Sequence, residues 1–232
     1  MLNLLIKLNK FIKFGGTKYL TKKVSLASYN IIYQIHKNNI KLDTIIDVGA
    51  NRGQFAFASK IFYEKAEVYS FEPTKSTFGE LNKTMTGISG FQSFNMALGS
   101  ETKSIEFIEY EDSHINSVLK SFDSKVKDKY NVDLTTLDTL VDNGTIKLNG
   151  SILLKMDVQG FELEVLKGSK NSLNKINYIL SEVSFKKYYE NQILYNDLDS
   201  YLINNGFKPV KMLDFLLDNG ELSQLDVLYA KS

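Results

Sequence analysis

The chain has no cysteine, only two prolines (Pro73 and Pro209), and Arg52 as its single arginine. Without cysteine there can be no disulfide, zinc finger, cysteine-held iron–sulfur cluster or thiol nucleophile. No run approaches the roughly 20 apolar residues of a membrane span. The opening Met1-Leu2-Asn3-Leu4-Leu5-Ile6-Lys7 lacks an early basic region, and lysines interrupt its apolar run too soon for a signal peptide, so a cytoplasmic location is expected. Acid is missing from one stretch as well. Residues 1–42 hold eight lysines and no Asp or Glu, which leaves the remainder at net −7 although the whole chain is formally +1. Richness in Lys, Asn, Ile and Tyr beside a lone Arg is a pattern that nucleotide bias in a genome produces. Lysine number is therefore a poor argument for nucleic-acid binding.

What is present is enough for one α/β domain: 232 residues, 43% of them hydrophobic. From residue 43 onward strand-like and helix-like runs alternate, which predicts a mostly parallel sheet with crossover helices on both faces. Strands are expected near 44–48, 67–71, 91–96, 151–157, 176–182, 207–212 and 225–230, and helices near 53–64, 75–85, 135–142, 161–173 and 195–205. An insertion at 104–134 contains strand-like Ser104–Glu109 and the polar run Asp112-Ser113-His114-Ile115-Asn116-Ser117. Asp218-Asn219-Gly220 predicts a tight turn and an antiparallel last strand. Ahead of this domain (43–232), residues 1–42 read as a basic, amphipathic helical extension. On a helix over 2–14, Leu4, Leu5, Leu8, Phe11 and Ile12 share one side, and Lys7, Lys10 and Lys13 the other. Such a helix packs on its own domain, packs on a second subunit in a homodimer, or lies peripherally on a membrane surface. His36, in a second helix near 24–38, reads as structural.

The most informative segment is Ile45-Ile46-Asp47-Val48-Gly49-Ala50-Asn51-Arg52-Gly53: an apolar strand, an acid, and two glycines four apart before a helix. A second apolar run, Val68-Tyr69-Ser70-Phe71, ends in Glu72-Pro73. Glycine allows a sharp turn and a close approach to a ligand, and an acid at the tip of the second strand can accept from both ribose hydroxyls. Dinucleotide sites use G-x-G-x-x-G and place a pyrophosphate on a helix N-terminus. Here Asp47 would repel such a phosphate, and a carboxylate suits a cationic or zwitterionic ligand. The aminoacyl-sulfonium end of S-adenosylmethionine is one, and that cofactor is favoured over NAD.

A further motif, Gly150-Ser151-Ile152-Leu153-Leu154-Lys155-Met156-Asp157-Val158-Gln159-Gly160-Phe161-Glu162, sets Lys155 and Asp157 two apart on a strand that should be apolar on both faces. Buried charges there must be paired, hydrated or used. Asp157 falls at the carboxyl edge of the sheet, where ligands bind, and Glu182 ends the next strand. For Lys155, an ion pair with Asp157 or Glu182 and a direct substrate role remain open. Glu162 has a helix-dipole role as its alternative.

With these motifs in hand, the chain resembles the FkbM-type S-adenosylmethionine-dependent methyltransferases. The resemblance rests on 47–53, Phe71-Glu72-Pro73, Ala97-Leu98-Gly99, 155–162 with Val165-Leu166-Lys167-Gly168, and Glu182-Val183, covering about residues 43–185. It implies a seven-stranded, Rossmann-like class I methyltransferase fold and methylation of an oxygen, often a hydroxyl of a sugar, glycan or glycan-like natural product. It would place Asp47, Gly49, Asn51 and Gly53 around the methionine moiety, Glu72 on the ribose, and Met96 and Ala97 along the adenine. The family usually has Glu where this chain has Gln159, which puts a base or metal role at that position in doubt. Two absences agree with an oxygen acceptor. Without cysteine there is no pyrimidine C5 methylation by the usual addition route, and two isolated prolines exclude the Asn/Asp-Pro-Pro-aromatic motif of many exocyclic-amine methyltransferases.

The expected chemistry is in-line displacement with removal of the hydroxyl proton. Asp157 is the first candidate for base or metal ligand, holding Mg²⁺ with Glu182. His114 in the insertion and Lys155 are the other catalytic candidates, and Ser113, Asn116 and Ser117 are possible hydrogen-bonding partners of acceptor or cofactor. The alternative function is an RNA methyltransferase that docks through the lysine-rich N-terminus. A non-catalytic domain that keeps the cofactor fold and an NAD oxidoreductase, for which the glycine spacing is wrong, are the remaining rivals.

Overall fold

The computed structural model describes residues 2–13, 16, 24–111 and 116–232. In chain order the first half comprises α1 (Leu2–Lys13), α2 (Leu26–Lys37), β1 (Thr44–Val48), α3 (Gln54–Phe62), β2 (Glu67–Phe71), α4 (Lys75–Thr84), β3 (Phe91–Phe94), β4 (Ala97–Leu98) and β5 (Lys103–Tyr110). The second half comprises β6 (Val126–Thr135), α5 (Leu137–Asp142), β7 (Ile152–Met156), α6 (Glu162–Lys167), β8 (Tyr178–Ser184), α7 (Tyr195–Asn204), β9 (Phe207–Asp218) and β10 (Glu221–Lys231).

Continuous apolar runs with no solvent face are what a central parallel strand needs, and β1 and β7 are buried at every position. They lie side by side in a seven-stranded sheet of order β3-β2-β1-β7-β8-β10-β9, with helices on both faces. The first five strands of that order are parallel, and β10 runs antiparallel to both β8 and β9. Asn219 and Gly220, both at positive φ, make the β9–β10 turn. Strand order reverses between β1 and β7, so the chain diverges at their carboxyl ends and leaves a crevice there.

Two regions depart from expectation. The insertion is a sheet of its own, order β4-β6-β5, with β6 antiparallel to β5 and parallel to the two-residue β4. Its small core of Ala97, Phe107, Val132 and Leu134 packs beside Phe161. The helix expected over 161–173 stops at Lys167, and a separate 3-10 turn follows at Ser172–Asn174. At the break Gly168 packs on the inserted sheet: a Cβ there would run into the Gly99 carbonyl, and the Gly168 carbonyl accepts from Asp138 N–H at 3.0 Å instead of continuing the helix. Two of the motif glycines therefore clamp the inserted sheet to α6.

The N-terminal helices are packed onto the domain. Ile31, Ile32 and Ile35 of α2 share a core with Ile45, Ala56 and Leu153, so no seam separates α2 from the sheet. Phe11 of α1 is buried edge-on against Tyr29, 4.9 Å between ring centres. Lys7 turns inward to Asp214 on β9 at 3.0 Å, since a buried carboxylate needs a cation. The apolar side of α1 consequently divides: Phe11 faces the protein, while Leu4, Leu5, Leu8 and Ile12 are exposed. Among the described residues no helix is long and apolar enough to cross a membrane.

Gly168→Ala should destabilise the protein by about 1–3 kcal/mol, the usual cost of overpacking, and urea unfolding would measure it. Gly79→Ala, inside α4 where nothing lies within 4 Å and φ is not positive, is the control for adding a methyl without a clash. A Gly168→Ala loss no greater than that of Gly79→Ala would refute the clamp.

Candidate active site

The floor of the crevice is an ion pair between neighbouring strands. Asp47 and Lys155 are partners in the β1–β7 register, and Lys155 Nζ lies 2.9 Å from Asp47 Oδ1. The same ammonium donates to the Gly49 carbonyl at 2.9 Å, approaches Asp157 Oδ2 at 3.9 Å and sits 5.4 Å from the centre of the Phe55 ring. Burial pulls the Lys155 ammonium down, but Asp47 and Asp157 more than offset it and hold it above the usual lysine value. Burial pushes the Asp47 carboxyl up, and Lys155 is the main opposing influence.

Above this floor the turn after β1 passes through Gly49 at φ +77° and Asn51 at φ +45°. A side chain on Gly49 would collide with the Asp157 carbonyl, so only glycine lets the β1 and β7 loops meet. Glu72 braces the other wall. Its Oε2 accepts from Asn51 N–H at 2.9 Å and its Oε1 from Thr74 N–H at 2.8 Å. Burial raises this carboxyl and the two backbone donors oppose that. Each oxygen keeps lone-pair capacity for a further donor. Between these walls lies a cavity of about 300 Å³ lined by residues from β1, β2, β7, the inserted sheet and the start of α2.

At its mouth, Asp157 has a side chain 43% exposed. The Gln159 amide donates to Asp157 Oδ1 at 2.8 Å and to Glu182 Oε2 at 3.2 Å. Tyr189 Oη donates to Gln159 Oε1 at 3.0 Å, which orients the amide, and Gln224 donates to Glu182 Oε2 at 2.8 Å. Gln159 holds φ +53°, an uncommon conformation for a side-chain-bearing residue. Glu182 is pushed well up by burial and by its neighbours Asp157, Asp226 and Glu162. The expected Mg²⁺ site at Asp157 and Glu182 does not fit this arrangement. Amide N–H donors occupy the position between the carboxylates that a cation would need, and among the described residues no three His, Cys, Asp or Glu gather as ligands.

The other anticipated residues divide by location. Gly49, Asn51, Glu72, Met96, Ala97, Lys155 and Asp157 line the cavity. Asp47 is fully buried beneath it, reaching it only through Lys155. Gly53 caps α3 and faces Leu81 instead. His114 and Ser113 lie outside the described residues. Asn116 lines the cavity and donates to Thr74 Oγ1 at 3.3 Å, whereas Ser117 is buried and donates to the Gln159 carbonyl at 2.9 Å. Glu162, buried, accepts from Val158 and Gly160 N–H and so folds its own loop. His36 is exposed, against Phe62 and Tyr63. Reading motifs alone overlooked Ser25 and Ser28, the first residues at α2, together with Phe107 and Phe161. Ser25 carried one signal, that of an N-cap serine, and its Oγ accepts from Ser28 N–H at 3.0 Å.

Burial pushes the Glu162 carboxyl from its ordinary 4.5 up to about 7. The folded protein thus binds this proton more tightly than the unfolded chain. Its contribution to stability is complete below about pH 4.5 and is lost as pH rises through about 7, a change on the order of 3 kcal/mol. Denaturant midpoints should fall between pH 5 and pH 8, and Glu162→Gln should flatten that fall. An unchanged slope in the variant would assign the effect to other groups.

Known proteins point the same way as this geometry. The model of the methyltransferase FkbM domain matches residues 47–209. Hexuronic acid methyltransferase AglP of Haloferax volcanii is 33% identical over 144 residues, covering 61% of this chain and 56% of that protein. The 2-O-methyltransferase NoeI of Sinorhizobium fredii is 24% identical over 183 residues, covering 69% of this chain and 73% of its own. The chain thus spans little more than half the length of the first of these relatives. Magnesium protoporphyrin IX methyltransferase from Synechocystis PCC 6803, solved with bound SAM, superimposes with a TM-score of 0.50 at 11% identity, over 89% of this chain and 81% of that one. At that identity the likeness concerns the fold, which is the class I methyltransferase arrangement. With the match over 47–209 falling on the strands and loops that build the crevice, the chain belongs to the FkbM methyltransferase family.

Proposed function

We propose that this protein transfers a methyl group from S-adenosylmethionine to a hydroxyl of a sugar or glycan. The observation that carries the reading is the exposed Asp157 carboxylate at the mouth of a cavity whose inner walls suit a nucleoside. Glu72 retains acceptor capacity for ribose hydroxyls, and Phe71, Pro73, Met96 and Leu98 offer an apolar slot for a base. Acidic Glu72, with Asp157 at the mouth, disfavours a pyrophosphate and suits an aminoacyl-sulfonium. The names of two relatives, a hexuronic acid methyltransferase and a 2-O-methyltransferase, support a sugar hydroxyl as acceptor.

The cofactor supplies an electrophilic methyl with a neutral thioether leaving group, so the protein's tasks are alignment and proton removal. We assign the second to Asp157. Gln159 holds one of its oxygens through Oδ1, and Lys155 balances its charge from below. The other oxygen, Oδ2, which Lys155 faces at 3.9 Å, would accept the acceptor's hydroxyl proton. Asn116 and Val118 bring the inserted sheet over the cavity. The RNA alternative drew on lysines of residues 1–42, and one of these, Lys7, is committed to Asp214.

Asp157→Asn should lower turnover of a uronic-acid-containing oligosaccharide by about 10²-fold or more. Calorimetric binding of S-adenosylhomocysteine should persist. Methyl transfer can be followed with radiolabelled cofactor. Undiminished turnover in the variant would remove Asp157 as the base.

A further inference from the structure

We infer that α1 is a docking element for an anionic lipid surface. Amphipathic helices that merely complete a domain turn their apolar side inward. Among the described side chains of α1, Phe11 is fully buried and Ile6 half-buried, while Leu4, Leu5, Leu8 and Ile12 are 61%, 56%, 38% and 55% exposed. The helix is nevertheless held firmly. Lys7 is paired with Asp214, the Lys7 carbonyl accepts from Asn30 Nδ2 at 2.8 Å, and Phe11 is locked against Tyr29. The outward leucines are thus presented by a fixed helix.

Charge selects the occupant. Residues 1–42 contain no acid, and Lys13 is exposed at the end of α1. The edge strand β9, against which α1 packs, adds exposed Lys208 and half-buried Lys211, whose register partners Ala230 and Leu228 lie on the side of the sheet that α2 covers. Apolar side chains mixed with lysines and free of acids suit insertion just below a layer of phosphate headgroups. A second copy is the poorer occupant. A two-fold contact would bring lysines against lysines, and the cores of protein–protein interfaces are depleted of lysine. Lysines and Pro209 on β9 also blunt that strand against edge-to-edge pairing.

The test is flotation of the whole protein with vesicles of phosphatidylcholine containing phosphatidylglycerol, compared with phosphatidylcholine alone, at low and high salt. The protein should float with the anionic vesicles, not with the neutral ones, and less at high salt. Leu5→Ser/Ile12→Ser should lower the bound fraction by about tenfold or more, with melting temperature unchanged because both side chains are already in water. Equal flotation of variant and wild type, or none of wild type, would overturn the inference. So would light scattering that shows a wild-type dimer converted to monomer by the variant without vesicle binding, which would give the face to a second copy. Binding of S-adenosylhomocysteine, measured in parallel, bears on the methyltransferase reading alone.

Discussion

Burying an ammonium between two central strands carries a hydration penalty of about several kcal/mol unless its donors all find partners. Lys155 offsets that penalty by joining three elements at once: it donates to Asp47 on β1 and to the Gly49 carbonyl in the turn beyond it, both at 2.9 Å, and faces the Asp157 carboxylate at 3.9 Å, a charge contact rather than a hydrogen bond. Since Asp47 and Lys155 face each other in register, a one-residue slip of β7 would send the lysine to the opposite face of the sheet. Register, turn geometry and placement of the proposed base therefore share one interaction. Gly49 sits where it does because Lys155 holds its carbonyl, and the β7 loop can approach because Gly49 has no side chain.

From that pin a row of acids runs across the sheet. Glu182 faces Asp226 in the β8–β10 register, and Asp226 faces Asp214 in the β10–β9 register. The row begins near Lys155 and ends on Lys7. Between the two cations, burial first and then neighbouring carboxylates push Asp226 up to about 7, and Glu182 shifts in the same direction. Protons and glutamine amides complete the neutralisation where lysines do not reach. The row is thereby charge-compensated, and the carboxylates left beside the cavity are Glu72 and Asp157, where a dinucleotide site would need room for phosphate.

Much of the central sheet was legible because its signals are local. Thr44–Val48 and Ile152–Met156 are unbroken apolar runs, and Asp218-Asn219-Gly220 permits one kind of turn. The strand β6 was missed because only alternate residues, Tyr130, Val132 and Leu134, meet the small inserted core, and Asn131 and Asp133 between them, with Lys127, Asp128 and Lys129 before them, read as a polar loop. That period-two pattern was the available signal. The site's geometry was legible where residue type dictates backbone shape or position, as with Gly49 at its close approach and Glu72 lining the cavity from the end of β2. It was obscure where the task depends on distant packing. Nothing near Gly53 shows that Leu81 will shield it, and Gln159 looked like a lost charge until Tyr189, thirty positions on, fixed its amide.

The stretch that identifies the family, 47–209, is shorter than the unit that folds. It leaves out β10, an interior strand with partners on both sides, and α2, whose first turn is part of the cavity wall. A recombinant fragment trimmed to the recognisable region would cut into β1, present the raw edge of β8 and strip the cover from Ala56 and Leu153. Such a piece would be a candidate for aggregation rather than a minimal enzyme. Homology boundaries are set by which residues stay recognisable among relatives, and here the flanks that do not are structural members of the domain.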